Sequence, residues 1–156
     1  MSDDDLITVE IRGFPLALWE VSREHLEAML REFAFIADGG GDNAELPHRL
    51  LDIVEHVRIR AGGLNAQAER SIEEATARGD ANVDFDVLVP ASIARGAPRF
   101  AALLAEVDEY CRAGDLLTLA TPPDVRAFQL WYIGEFARQV DGGAPLAWRD
   151  TRPTER

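Results

Sequence analysis

The run DLLTLATPPDVRAFQLWYIGEFARQV, Asp115–Val140, sets the terms for the rest of the chain. It holds the clearest helix start in the sequence and its densest aromatic cluster. Thr121 is placed to cap a helix, Pro122 to take the first helical position, and Asp124 to complete a capping box. Behind that cap, Val125, Phe128, Trp131, Tyr132 and Phe136 recur at three- and four-residue steps, with Val140 a turn further on. That spacing predicts an amphipathic helix with a heavy apolar stripe. Trp131 and Tyr132 are sequence neighbours and point about 100° apart, so either the stripe is unusually wide because the helix is central or one of the two aromatics is partly exposed. The stripe reads either as a central core helix or as an aromatic patch that anchors a partner. On the second reading Trp131, Tyr132 and Phe136 are the partner-binding candidates, together with Trp148 from the C-terminal run Pro145-Leu146-Ala147-Trp148.

A core around such a helix is within reach, because 156 residues, 47% of them hydrophobic, suffice for one domain without covalent staples. There are 28 acidic residues against 16 basic ones, all arginine, for a net charge of −12. No basic cluster offsets that charge, which argues against nucleic acid and anionic membranes as partners. The lone Cys111 excludes an internal disulfide framework and suits a reducing compartment. The start MSDDDL is acidic where a signal peptide is basic. No apolar run approaches the roughly 18–20 residues of a membrane span. These features predict a soluble, cytoplasmic protein. The arginine and alanine bias resembles a high-GC genome.

Leu6–Arg12 alternates, with Ile7, Val9 and Ile11 on one side, and predicts a half-buried strand. Gly13-Phe14-Pro15 reads as a turn into a helix reaching Ala37, with Trp19, Leu26, Met29, Leu30, Phe33 and Ile36 inward. Glu20, Arg23, Glu24, Glu27 and Arg31 form its wet side. After the break Asp38-Gly-Gly-Gly-Asp42, Pro47 opens a helix to Ala61 with Leu50, Ile53, Val54 and Val57 inward. Leu64–Arg78 is a thinner, surface helix ending at Gly79. Val83–Val89 alternates again and should pair with Leu6–Arg12, since neither strand survives alone. Pro98–Arg112 reads as a helix with Phe100, Leu103, Leu104, Val107 and Cys111 inward, stopped by Gly114. Asp115–Ala120 is a short third strand or an extended link, and 149–156 a disordered tail.

Candidate chemistry is sparse. His48, Asp52 and His56 fall at i, i+4 and i+8, a spacing that gathers imidazole and carboxylate ligands for a metal. Asp52 nevertheless lies about 200° round the helix from the inward Leu50, which makes this a solvated face. His25 has no evident partner in the sequence. Asp38-Gly-Gly-Gly-Asp42 lacks the lysine and hydroxyl of a phosphate loop, and its aspartates repel phosphate. Cys111 shares a stripe with Leu104 and Val107, the setting of an inert buried thiol. Carboxylate pairs such as Glu73-Glu74 and Asp84/Asp86 are expected in any chain this acidic.

The run CRAGDLLTLATPPDVRAFQLWYIGEFARQVDGGAPLAW resembles the C-terminal segment of small uncharacterised actinobacterial proteins. IRGFPLALWEVSREHLEAMLREFAFIA is similar to the opening strand and helix of the same proteins. Those proteins are encoded beside ATP-binding anti-sigma factors, STAS-domain antagonists and PP2C-type phosphatases. The resemblance therefore implies a role in partner switching on a sigma factor, with a STAS or anti-sigma protein as partner. It implies no site, because the shared residues are caps, aromatics and turn glycines.

The expected architecture is α+β and mostly helical: one domain over 1–148, about five helices and two or three short strands. The expected function is non-enzymatic regulation by protein–protein binding, with no cofactor. Two other classes stay open: a small-molecule sensor with a pocket reached by Trp19 or Trp131, and a metal enzyme built on His48, Asp52 and His56.

Overall fold

In a computed structural model of the chain, residues 2, 5–39, 45–113 and 120–148 are described. Strand β1 (Leu6–Pro15) pairs antiparallel with β2 (Asn82–Pro90), with Val9 opposite Val87 and Ile11 opposite Phe85. The pairing of the two alternating segments is thus as the sequence predicts, but β1 does not turn at Gly13. The register slips between Ile11 and Phe14, where Arg12 and Gly13 together oppose Asp84. Gly13 takes φ +69° and donates its N–H to Asp84 Oδ1 at 2.7 Å. The extra residue resets the alternation, so Phe14 faces inward where an unbroken strand would place residue 13. A glycine inside an alternating run is the sign of such a bulge.

Six helices complete the described residues: α1 (Leu16–Asp38), α2 (Glu45–Ala61), α3 (Ala66–Arg78), α4 (Ala91–Arg95), α5 (Ala97–Ala113) and α6 (Pro123–Val140). The fold is α+β, and helix dominates. Helix α1 begins as soon as the strand ends, its first N–H (Leu16) donating to Ala81 O. Pro47 sits in the first turn of α2, where a missing N–H removes no bond, so the helix starts earlier than the proline implied. Gly79 ends α3 in the left-handed region at φ +77°, with its own N–H and that of Asp80 donating back to the last turn. Helix α4 was not expected; Pro90 ends the strand and leads directly into it.

Two apolar clusters hold these elements. One joins the inner sheet face (Val9, Ile11, Phe14, Phe85, Val87, Val89) to α3, α4 and α6. The other lies among α1, α2 and α5, around Met29, Phe33, Leu50, Leu103, Val107 and Cys111. Helix α3 is more than a surface helix, because Ala68 and Ala75 are buried against the first cluster. Alanine lets its backbone approach the sheet closely. Val57 departs from expectation in the other direction: α2 carries it past the edge of the second cluster, and it is exposed. The expected third strand, the stop at Gly114, the Gly40–Asp42 part of the glycine break and the 149–156 tail lie outside the described residues. Among the described residues, no helix is long and apolar enough to cross a membrane.

Candidate functional site

The aromatic stripe of α6 packs inward. Trp131 and Trp148 are each 7% exposed and belong to the sheet cluster, while Tyr132 and Phe136 are half-buried against it. Phe14 is the hub, with ring centroids 5.0 Å from Phe85, 5.3 Å from Phe128, 5.6 Å from Trp19 and 5.7 Å from Tyr132. Trp148 closes the cluster edge-on to Trp131 at 5.5 Å. Edge-to-face pairs at such distances are the favoured aromatic geometry. Trp131 and Trp148 are therefore core in this fold. Burial also pushes the Tyr132 phenol up to about 12.

The start of α6 differs from the capping box read in the sequence. Pro122 is the cap residue and Pro123 the first in the helix, and Asp124 Oδ1 accepts the Val125 N–H at 2.9 Å. Thr121 is occupied elsewhere. Its hydroxyl and N–H donate to Asp108 Oδ1 at 2.7 and 3.1 Å, and Arg126 donates to Asp108 Oδ2. A buried carboxylate outcompetes a helix end for that hydroxyl, because an unpaired buried charge costs far more than an uncapped N–H. His25 Nε2 lies 3.2 Å from Thr121 Oγ1. Since the threonine proton is spent on Asp108, His25 must be the donor, which fixes the Nε2–H tautomer.

This cluster ties α1, α5 and the head of α6 together. Burial raises the Asp108 carboxyl, but the hydrogen bonds from Thr121 and Arg126 and the Arg126 charge outweigh it and hold it below the usual range. Burial lowers His25, and the nearby Asp108 charge offsets only part of that. The arrangement is a clasp and has the wrong polarity for nucleophilic catalysis. Thr121 donates to a weakly basic carboxylate, and the imidazole donates to Thr121 where a general base would accept. Cys111 is one turn along α5 from Asp108, its thiol pushed up to about 11 by burial, then by the Asp108 and Glu32 charges. Such a thiol is inert at neutral pH.

A second polar cluster has no counterpart in the sequence patterns. Glu135, in the middle of α6, is fully buried. It accepts from Arg138, from Gln139 Nε2 at 2.7 Å and from the Leu146 N–H at 3.3 Å. Arg138 also donates to Ala144 O at 2.9 Å, and Trp131 Nε1 to Leu146 O at 2.8 Å. Gln139 then bonds the outer edge of β1 at both peptide groups of Glu10, each at 2.8 Å. On the other edge, Asn65 Oδ1 accepts the Leu88 N–H at 2.9 Å. Two carboxamides thus close part of each edge of a two-stranded ribbon.

His48, Asp52 and His56 all lie exposed on α2. Among the described residues, no group of three histidine, cysteine or acidic side chains is arranged to hold a metal. A depression at the bulge is lined by Gly13, Asn82, Val83 and Asp84, and neither Trp19 nor Trp131 lines it.

Val57 and Ile59 of α2, Leu130 of α6 and Leu146 are exposed, and large apolar side chains also reach the surface in two further places. On the outer face of the ribbon, Leu6 and Leu88 are 53% and 40% exposed. Leu6 lies opposite Pro90 and Thr8 opposite Leu88, so the two leucines are diagonal neighbours on one face. At the other end of that face, Arg12 pairs with Glu10 and Asp86. The second place is the outer side of α1, where Phe35 is 81% exposed. Searches against protein-family models, characterised proteins and solved structures found no match to this chain.

Proposed function

We propose that this chain is a non-enzymatic, cytoplasmic regulatory protein that acts by binding another protein through the outer face of the β1–β2 ribbon. The observation that carries the reading is the Leu6–Leu88 pair, exposed on the sheet face opposite the helices while an ion-paired cluster occupies the far end. An apolar centre beside charged residues is the usual composition of a contact surface. The resemblance of the first and last segments to proteins encoded beside sigma-factor regulators supplies the partner class, a STAS-domain or ATP-binding anti-sigma protein. The net charge of −12 supports a protein partner over nucleic acid.

Calorimetric titration with purified STAS-domain and anti-sigma proteins of the native host tests this, using wild type and a Leu6→Ser/Leu88→Ser variant. The wild type should bind one of them, and the variant should bind at least about tenfold more weakly with an unchanged circular dichroism spectrum. Equal affinity for both forms, or no binding by the wild type, contradicts the proposal.

A further inference from the structure

We propose that a second copy of this chain docks on the outer face of α1, giving an antiparallel two-helix contact centred on Ala28. This surface is separate from the sheet face assigned above. Ala17, Val21, Glu24, Ala28, Arg31 and Phe35 follow one another at steps of 4, 3, 4, 3 and 4 residues. At 100° per residue they fall within an arc of about 80°, on the side away from the buried Met29 and Phe33. A 4-3 alternation is the seam along which two helices coil. Phe35 and Val21, the large apolar members, are 81% and 46% exposed in the protomer.

The charges on the seam select both the occupant and its direction. Beside it, Arg23 is already paired with Glu20 and with Glu27, the latter at 2.8 Å. Glu24 and Arg31, on the seam, have no ion-pair partner among the described residues. In a parallel pair Glu24 would meet Glu24 and Arg31 would meet Arg31. With the helices antiparallel about Ala28, Val21 comes level with Phe35 of the other copy and the small Ala28 meets its own equivalent. Glu24 then falls within about one helical rise, ~1.5 Å along the axis, of the level of Arg31 across the seam. Both unpaired charges find opposite partners, and the bulky ring faces the smaller valine. A single surface that complements itself in this way is the requirement for a two-fold dimer. A contact limited to one helix per protomer is at the small end of specific interfaces, so the association is expected at micromolar concentrations or above.

Sedimentation equilibrium of the full chain over a concentration series reads the self-association. The wild type should approach twice the monomer mass. Phe35→Ser, at a position too exposed to matter to folding, should weaken association at least about tenfold. Glu24→Arg and Arg31→Glu should each do the same alone, and an equimolar mixture of those two variants should recover a heterodimer, because each now carries the charges the other lacks. A wild type that stays monomeric throughout overturns the proposal. So does a dimer indifferent to Phe35→Ser, or a pair of charge variants that fail to rescue each other. Loss of partner binding in the Leu6→Ser/Leu88→Ser variant with the dimer intact would separate the two surfaces.

Discussion

At Asp108, three donors converge on one buried carboxylate, and two of them come from Thr121. Replacing it by asparagine removes the charge that all three donors face. Asp108→Asn should cost about 2 kcal/mol, seen as a lower urea midpoint with an unchanged slope. The pH dependence follows from the directions of the two shifts. His25 and Asp108 are both lowered in the folded protein, so on acidification the unfolded chain takes up these protons first. The contribution of His25 is complete above its ordinary 6.5 and is lost as pH falls below that value. That of Asp108 is complete above 3.8 and is lost at lower pH still. The difference in stability between wild type and His25→Gln should therefore change between pH 7 and pH 5; a flat difference would contradict the half-buried, neutral imidazole. None of this was legible beforehand. Asp108 lies within a helix whose apolar spacing is legible in the sequence, where Thr121 has the position of a cap. Only the fold shows that its hydroxyl has a better acceptor.

Helix α6 was the most legible element, because its apolar spacing is long and regular. What the spacing left open was the role of the stripe, since core and interface use the same residues at the same steps. In the fold Val125, Phe128 and Trp131 are buried, and Phe14, delivered by a one-residue bulge, packs against Phe128 and Tyr132. Trp131→Ala should then cost roughly 3–5 kcal/mol through the cavity it leaves. Thermal unfolding would check this, and an unchanged melting temperature would place Trp131 outside the core. The Glu135 clamp escaped notice for a different reason, in that glutamate on a helix is ordinarily a solvent residue. Here the returning segment at 144–148 covers it and supplies a peptide N–H. Glu135→Ala would leave the Leu146 N–H without this acceptor and Arg138 and Gln139 with only Ala144 O and Glu10 O, and should cost about 2 kcal/mol by the same thermal measurement.

Over the whole molecule, every aromatic side chain but Phe35 is buried or half-buried, and the acidic surface carries exposed apolar side chains on the ribbon, α1, α2 and α6. The five longer helices and the two alternating strands are readable because they follow local periodicity, whereas the five-residue α4 is too short to show one. The bulge, the α3 contact and the two polar clusters depend on residues far apart in the chain, and no spacing rule reports them. The central claim is that the α6 aromatics and Trp148 form the interior of the fold. Acrylamide quenching of a Trp19→Phe variant tests it most directly, because Trp131 and Trp148 are then the remaining indoles. Blue-shifted emission with weak quenching, rising to free quenching in urea, is the predicted result. Red emission with strong quenching in the native protein would show the indoles open to solvent, and would return the stripe to the role of a docking surface.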